Sequence, residues 1–90
     1  MITSGQLRAA RALLGIDQRA LAALVGVSLP TVQRMESSDG IVRGNVDTLM
    51  KMVDGLREAG IELIGENMPS TGDGRGVRLL MPKERGNADL

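Results

Sequence analysis

The chain has 90 residues, with 11 lysines and arginines, 11 aspartates and glutamates, and no cysteine, histidine or aromatic residue. A chain of this length makes one small domain with a thin core, and the missing cysteine and histidine exclude disulfides and remove the commonest metal ligand and general base. We therefore expect no enzyme, no metal and no cofactor. Without a signal-like start or an apolar run long enough for a membrane span, we expect a cytoplasmic protein.

Charge is distributed unevenly along the chain. Residues 1–45 carry five arginines against three acidic residues, a net of +2, and the remaining residues carry −2. A zero net charge counts against a nucleic-acid partner, because attraction to phosphate dominates such binding. The basic N-terminal half keeps that partner open.

Three short helices are predicted in the N-terminal half, over about 4–14, 18–25 and 29–37. Each has apolar residues at helical spacing, and each follows a polar residue that can cap it. The first two end at glycines, which accept the left-handed conformation common after a helix. The caps are Thr3 or Ser4, Asp17 and Ser28, and the glycines are Gly15 and Gly26.

A fourth helix is predicted after a turn-rich loop at residues 37–45. Asn45 can cap this helix and Gly60 can end it. Its apolar positions form the clearest amphipathic pattern in the chain. They are Val46, Leu49, Met50, Val53 and Leu56.

The character of the sequence changes after this helix. Residues 61–64 and 77–81 are short aliphatic runs separated by glycine, proline and serine, and they predict a β-hairpin or a pair of strands. We expect residues 82–90 to be a flexible tail. The chain therefore divides into a helical domain at 1–60, a strand segment at 61–81 and this tail.

Residues 18–36 have the residue types that a tight helix-turn-helix requires. Two helices that cross steeply through a three-residue turn need a small residue on the first helix, and Ala22 occupies that position. The turn needs a residue with positive φ, which Gly26 supplies. The space between the helices is expected to be filled by Val27, Val32 and Met35. Helices this short cannot bury themselves, so the first and fourth helices must complete the core.

With these residues in place, the chain resembles the Cro/lambda-repressor type of helix-turn-helix, the xenobiotic response element family, over about residues 4–60. The matching positions are Arg11, Gln18, Leu21-Ala22, Gly26-Val27-Ser28, Val32 and Glu36. The resemblance implies a mainly α fold, a lambda-repressor-like bundle of four to five short helices. It also implies a transcriptional regulator that binds double-stranded DNA with helix 29–37 in the major groove.

The resemblance assigns roles to single residues. Gln18, which opens the first helix of the motif, would contact a phosphate, and Arg11 would pair with Glu36. This chain departs from the family at the start of the reading helix, where glutamines are common. Leu29 and Pro30 stand there, and neither side chain can hydrogen-bond a base edge.

The residues that read bases are therefore expected further along this helix. Leu29 can pack on a thymine methyl group, while Thr31 and Arg34 are the polar candidates. Arg34 can address O6 and N7 of guanine together. Gln33 is the alternative reader, because the sequence does not determine the rotation of the helix.

Three further residues complete the expected DNA-binding set. Ser28 and Asn45 cap helices beside the expected interface. Arg43 is either a solubilising charge or a phosphate contact near a helix N-terminus, and we expect the contact. The whole set is Gln18, Ser28, Leu29, Thr31, Gln33, Arg34, Arg43 and Asn45.

Residues 61–64 and 77–81 need something to pair with, because a lone two-stranded hairpin is marginal in water. A sheet shared with a second copy would present two reading helices to a palindromic operator with half-sites about one helical turn apart. The ending AGIELIGEN…GVRLLMP resembles the tail of many short regulators of this family. The alternative is a hairpin folded on its own fourth helix; we expect a homodimer.

Three functions stay open on the sequence. The leading one is a sequence-specific transcriptional regulator, for which we favour a repressor over an activator. The second is the antitoxin of a toxin–antitoxin pair, which would bind a toxin and autoregulate its operon. The third is a protein-binding adaptor without DNA contacts, which the zero net charge leaves open.

Overall fold

The computed structural model describes residues 2–80, and these form four helices. They are α1 (Ser4–Leu14), α2 (Gln18–Val25), α3 (Leu29–Glu36) and α4 (Val46–Glu58). The predicted mainly helical bundle is confirmed, and α3 ends one residue earlier than expected. No helix within residues 2–80 is long and apolar enough to cross a lipid bilayer.

Each helix begins after a polar residue that accepts a backbone N–H of the first turn. Thr3, rather than Ser4, caps α1. Thr3 Oγ1 accepts the N–H of Gln6 at 3.1 Å, and Gln6 Oε1 accepts the N–H of Thr3 at 2.9 Å. This capping box satisfies two donors that have no partner inside the helix. The other three caps are the predicted ones, Asp17, Ser28 and Asn45.

The core is aliphatic and lies where the four helices meet. Helix α2 is central, because it packs against both α3 and α4, while α1 packs against α3. The largest fully buried side chains are Leu7, Leu21, Val32, Met35, Met52 and Leu56. Burying one such side chain stabilises a fold by about 1.5–3 kcal/mol, so the absence of aromatic residues makes close contact between the helices important.

Helices α2 and α4 approach each other closely at Gly55 of α4. A Cβ atom built on Gly55 would lie 2.7 Å from Val25 Cγ1 and 3.0 Å from Val25 Cα in α2. Both distances are well inside van der Waals contact, so the missing side chain is what allows the two helix backbones to approach. This glycine within a helix therefore has a packing reason that outweighs its poor helix propensity.

The predicted apolar face of α4 is only partly buried. Met52 and Leu56 are fully buried, whereas Val46 and Met50 are 69% and 55% exposed. The expectation that Val46 and Met50 pack inward is therefore wrong. Helix α4 packs chiefly against α2, and one neighbouring helix covers a narrower stripe than the one the sequence offers.

The loop between α3 and α4 is tied to the N-terminus by an antiparallel bridge between Thr3 and Ile41. The N–H of Ser4 donates to the carbonyl of Gly40 at 2.9 Å, and the N–H of Val42 donates to the carbonyl of Ile2 at 3.0 Å. Ile2 and Val42 are both buried. The sequence did not predict this tie, which holds the loop that carries Arg43.

The predicted C-terminal hairpin is not formed, because residues 61–80 contain no strand. Ile61 and Leu63 pack against the helical core instead, and Gln6 Nε2 of α1 donates to the carbonyl of Ile64 at 3.1 Å. The first aliphatic run is thus used by its own domain. Met81, the last residue of the second predicted strand, and the predicted tail at 82–90 lie outside the described residues.

Side chains rather than strand pairing hold the segment that follows. The carboxylate of Glu62 accepts hydrogen bonds from Ser70, Thr71 and Gly72. Arg78 donates to the carbonyl oxygens of Met68, at 2.6 Å, and Gly65, at 3.0 Å. These bonds close residues 62–78 into a loop and leave the backbone of the second aliphatic run free of interstrand bonds.

We predict that Gly55→Ala destabilises the protein although alanine is the better helix former. The helix propensity gain is about 1 kcal/mol, but overpacking against the Val25 backbone costs about 1–3 kcal/mol, and contact with backbone favours the upper end. Gly5→Ala is the matched control, because a Cβ there meets no atom closer than 3.8 Å. It should stabilise by about 0.4–1 kcal/mol.

Urea unfolding followed by circular dichroism at 222 nm measures both changes, since the chain has no aromatic fluorophore. A Gly55→Ala midpoint at or above that of the wild type would contradict the close packing of α2 and α4.

Candidate nucleic-acid interface

Helices α2 and α3 are joined by the three-residue turn at 26–28. Gly26 adopts a φ of 80°, and the N–H groups of Gly26 and Val27 both donate to the carbonyl of Ala22, at 2.9 and 3.1 Å. Ala22 itself is buried. The structure thus confirms the small residue and the glycine that the sequence predicted for a steep crossing of two short helices.

Helix α3 has one buried and one outer face. Val32 and Met35 are fully buried between the helices. Gln33 and Arg34 are exposed, whereas Thr31 is half-buried. The outer face is therefore polar and available to a partner. Both candidate readers, Gln33 and Arg34, project from it, so the helix rotation does not exclude either one.

The start of α3 is held by a pair of hydroxyl groups. Ser28 Oγ accepts the N–H of Thr31 at 3.2 Å and lies 2.8 Å from Thr31 Oγ1. These two predicted site residues are thus brought together, and the hydroxyl of Thr31 is oriented before any ligand arrives. Leu29 is half-buried and packs against the core, so only part of its side chain is available outside.

The far end of α3 is fixed by the ion pair between Arg11 and Glu36. Arg11 Nε donates to Glu36 Oε2 at 2.7 Å, and Arg11 Nη2 donates to Oε1 at 2.9 Å. The exposed fraction of the side chain is 24% for Arg11 and 3% for Glu36. A two-pronged bond of this kind fixes orientation as well as distance. The pairing that the family resemblance implied is confirmed.

Gln18 takes part in the same cluster. Its Nε2 donates to Glu36 Oε1 at 3.0 Å, so the first residue of α2 is tied to the last residue of α3. The sequence predicted a phosphate contact for Gln18 and did not anticipate this bond. The bond sets the orientation of the Gln18 amide.

Sequence reasoning missed the role of Arg8. Its Nη1 donates to the backbone carbonyl of Glu36 at the C-terminal end of α3. Arg8 stands three residues before Arg11 and so shares its helix face. The three-residue spacing of Arg8 and Arg11 is the feature of the sequence that could have indicated this role. Two arginines of α1 therefore hold the end of α3.

Hydrogen bonds and neighbouring charges favour the ionised forms of Glu36 and Arg11. Burial alone would raise the pKa of Glu36, but hydrogen bonds from Arg11 and Gln18 and the positive charges of Arg11 and Arg8 outweigh it and lower that pKa. The hydrogen bond to Glu36 is likewise the main reason that the pKa of Arg11 is raised. Both groups therefore stay ionised in the folded state near neutral pH.

Two predicted site residues lie apart from α3, in the loop before α4. Asn45 caps α4, since its Oδ1 accepts the N–H of Thr48 at 2.8 Å. Arg43 is exposed and lies in the loop that the Thr3 bridge holds. Within residues 2–80, no hydrogen bond joins Arg43 or Asn45 to the residues of α3.

We predict that Glu36→Gln removes a pH-dependent part of the stability. Removing one partner costs about 3–5 kcal/mol in a fully buried ion pair and under about 1 kcal/mol at the surface. Since Arg11 is partly exposed, we expect about 2–3 kcal/mol at pH 7. Because the folded state lowers the pKa of Glu36, this contribution is present above the ordinary carboxyl pKa of about 4.3 and is lost as the pH falls further.

Chemical unfolding of the wild type and Glu36→Gln between pH 7 and pH 3 tests this dependence, with Glu66→Gln as an exposed control. The gap between wild type and Glu36→Gln should narrow below about pH 4.3. A gap that stays constant or widens would show that the charge of Glu36 is not what holds α3.

Comparison with known proteins agrees with this geometry. A family model described as Helix-turn-helix matches residues 7–59, which is more than half of the chain. Neither the comparison with curated proteins nor the comparison with solved structures gave a significant match. The matched region runs from the buried Leu7 of α1 to the end of α4, so it contains α2, α3, α4 and all but the first three residues of α1. The chain belongs to the helix-turn-helix family of the xenobiotic response element and lambda-repressor type, whose members are DNA-binding transcriptional regulators.

Proposed function

We propose that this protein is a sequence-specific repressor that acts in the cytoplasm as a homodimer on a palindromic operator. The observation that carries the proposal is the outer face of α3, which is polar, exposed and held at both ends. Ser28 caps its beginning, and Arg11, Gln18 and Arg8 hold Glu36 at its end. A rigid, exposed helix of this kind can enter a major groove without first being ordered.

The reading residues follow from exposure along α3. Arg34 is exposed and can donate two hydrogen bonds to O6 and N7 of a guanine. Gln33, which is also exposed, can pair with N6 and N7 of an adenine. Thr31 and the outer part of Leu29 lie one turn earlier, where a hydroxyl and a methyl contact to thymine fit. The operator half-site we propose therefore contains both G·C and A·T pairs.

The positioning contacts come from residues around α3. Arg43 and the capping residue Asn45 are exposed in the loop that leads from α3 to α4, and we assign both to the phosphate backbone. The amide of Gln18 opens α2, and one N–H of its NH2 group is left after the bond to Glu36. We assign that N–H to a phosphate. Ser28 would contact the backbone at the start of the reading helix.

Repression is the mode that fits this chain most directly. A regulator that occupies promoter DNA excludes polymerase by its bulk alone, so no further activity is required of it. A homodimer formed through residues 61–81 supplies the affinity, because the second half-site is bound at high effective concentration once the first is occupied. The described part of this segment, residues 61–80, follows α4, and Gln33 and Arg34 on the outer face of α3 are exposed in the same structure.

We predict different outcomes for two arginine substitutions. Arg34→Ala should cost about 1–3 kcal/mol on the cognate operator and relax discrimination at one base pair. Arg43→Ala should weaken cognate and random duplexes alike and reduce the slope of log K against log salt by about one, because it removes one phosphate contact.

Titration of labelled duplexes at several salt concentrations measures both effects. Gln33→Ala on the same duplexes tests whether Gln33 reads a base as well as Arg34. If Arg34→Ala and Arg43→Ala had the same effect on cognate and random DNA, the division into reader and positioner would be wrong. If binding were independent of salt, the adaptor function would be favoured over DNA binding.

A further inference from the structure

The groove between α2 and α4 is an acidic and apolar surface that the helical bundle does not use. Leu24 and Met50 form its apolar part and are both exposed. The lining contains three carboxylates and one lysine. The charged lining residues are Asp47, Lys51, Asp54 and Glu58. Arg57 pairs with Asp54 at 3.7 Å, and both of these side chains are largely exposed to solvent.

The second aliphatic run has the complementary character. Residues 75–80 contain two arginines and no acidic residue. The apolar side chains of this run are among the most exposed in the described part of the chain: 80% for Val77, 78% for Leu79 and 73% for Leu80. Large apolar side chains that cluster on a surface commonly mark an interaction site.

The first aliphatic run cannot be the partner of the second in an interchain sheet without leaving its own domain. Ile61 and Leu63 pack against the helical core, and the carbonyl of Ile64 is taken by Gln6. Among residues 2–80, the first run thus packs against the helical core, whereas Val77, Leu79 and Leu80 of the second run do not. The partner surface for residues 75–80 must be sought elsewhere on the molecule.

A single chain does not bring the groove and the run together. Arg78 is bonded to the carbonyls of Gly65 and Met68, and Leu79 and Leu80 border a cleft with Met68 instead. No residue of 75–80 lines the groove between α2 and α4. Two complementary surfaces that are separate in one chain can meet when a second copy is present.

We infer that residues 75–80 of one copy dock in the α2–α4 groove of a second copy, and that the contact is reciprocal. The apolar side chains of the run would cover Leu24 and Met50, and Arg75 would face the carboxylates at the rim. A two-fold axis makes the contact twice. Because the contact is made twice, the buried area is doubled, which brings the interface of a short segment closer to the roughly 1,200–2,000 Å² that specific complexes bury. This inference deepens the proposed homodimer and rests on it.

Charge variants at two exposed positions test the contact directly. Met50→Lys places a cation in the groove against the basic run, and Leu79→Glu places an anion on the run against the acidic groove. Each should weaken self-association about tenfold or more. Leu13→Lys is the matched control, because Leu13 of α1 is exposed to the same degree as Met50 and lies outside the groove. It should leave the dimer unchanged.

Mixing the two variants should restore the dimer. In the mixed dimer one contact keeps the wild-type Met50 and Leu79, and the other brings an introduced lysine to an introduced glutamate. At a concentration where each variant alone is mostly monomeric, sedimentation velocity should show that the equimolar mixture recovers the dimer. Circular dichroism spectra equal to that of the wild type confirm that the fold is intact.

Cysteine variants give a second measurement, since the chain has no cysteine. A mixture of Met50→Cys and Leu79→Cys chains should form an interchain disulfide under oxidised glutathione, and a mixture of Leu13→Cys and Leu79→Cys should not. The inference is overturned if Met50→Lys and Leu79→Glu dimerise like the wild type, or if the wild type sediments as a monomer at every concentration tested. Self-association is measured without DNA, and binding of the same variants to a single half-site reports separately on the proposed function.

Discussion

The buried carboxylate of Glu36 is the group on which the arrangement of the motif depends. It is 3% exposed and stands at the last residue of α3, where the negative end of the helix dipole disfavours an anion. A buried, unpaired carboxylate would cost several kcal/mol or take up a proton. Arg11 removes that cost with two short hydrogen bonds. Because Gln18 of α2 and Arg8 of α1 also donate to Glu36, both helices are bonded to the end of α3.

This cluster bears on the proposed function because it fixes the C-terminal end of α3, the helix whose outer face is exposed. Recognition of base edges needs side chains placed to within a fraction of an ångström, and a helix of two turns has few contacts of its own. The hydroxyl pair of Ser28 and Thr31 holds one end of this helix, and the ion pair holds the other. Between them, Val32 and Met35 anchor the inner face in the core. Helix α3 is thus ordered without a ligand, and if it enters a DNA groove as proposed, less entropy would be lost on binding.

The local features of the fold could be predicted from the sequence because they depend on neighbouring residues. Caps such as Asp17 and turn glycines such as Gly26 act within a few residues, and the periodicity of Leu7 and Ala10 marks the inner face of α1. The Arg11 to Glu36 pair spans 25 positions, and it was expected from the family resemblance, because local spacing does not reveal such contacts.

The features that were missed all depend on contacts between distant parts of the chain. The Thr3 to Ile41 bridge is one. The bond from Gln6 to Ile64, which keeps the first aliphatic run on its own domain, is another. Alternating aliphatic residues indicate strands only if another strand is there to pair with. Here the helical core competes for Ile61 and Leu63, so the same apolar residues pack against helices instead.

The proposed repressor depends on recognition of DNA sequence by the outer face of α3. The most direct test is repeated selection of bound duplexes from a pool with a randomised centre, using the full chain at moderate salt, followed by sequencing of the retained pool. We expect enrichment of one motif made of two inverted half-sites, about one helical turn apart, each with a G·C pair at a fixed position. A pool that stays random after several rounds, although the protein is folded, would contradict the account.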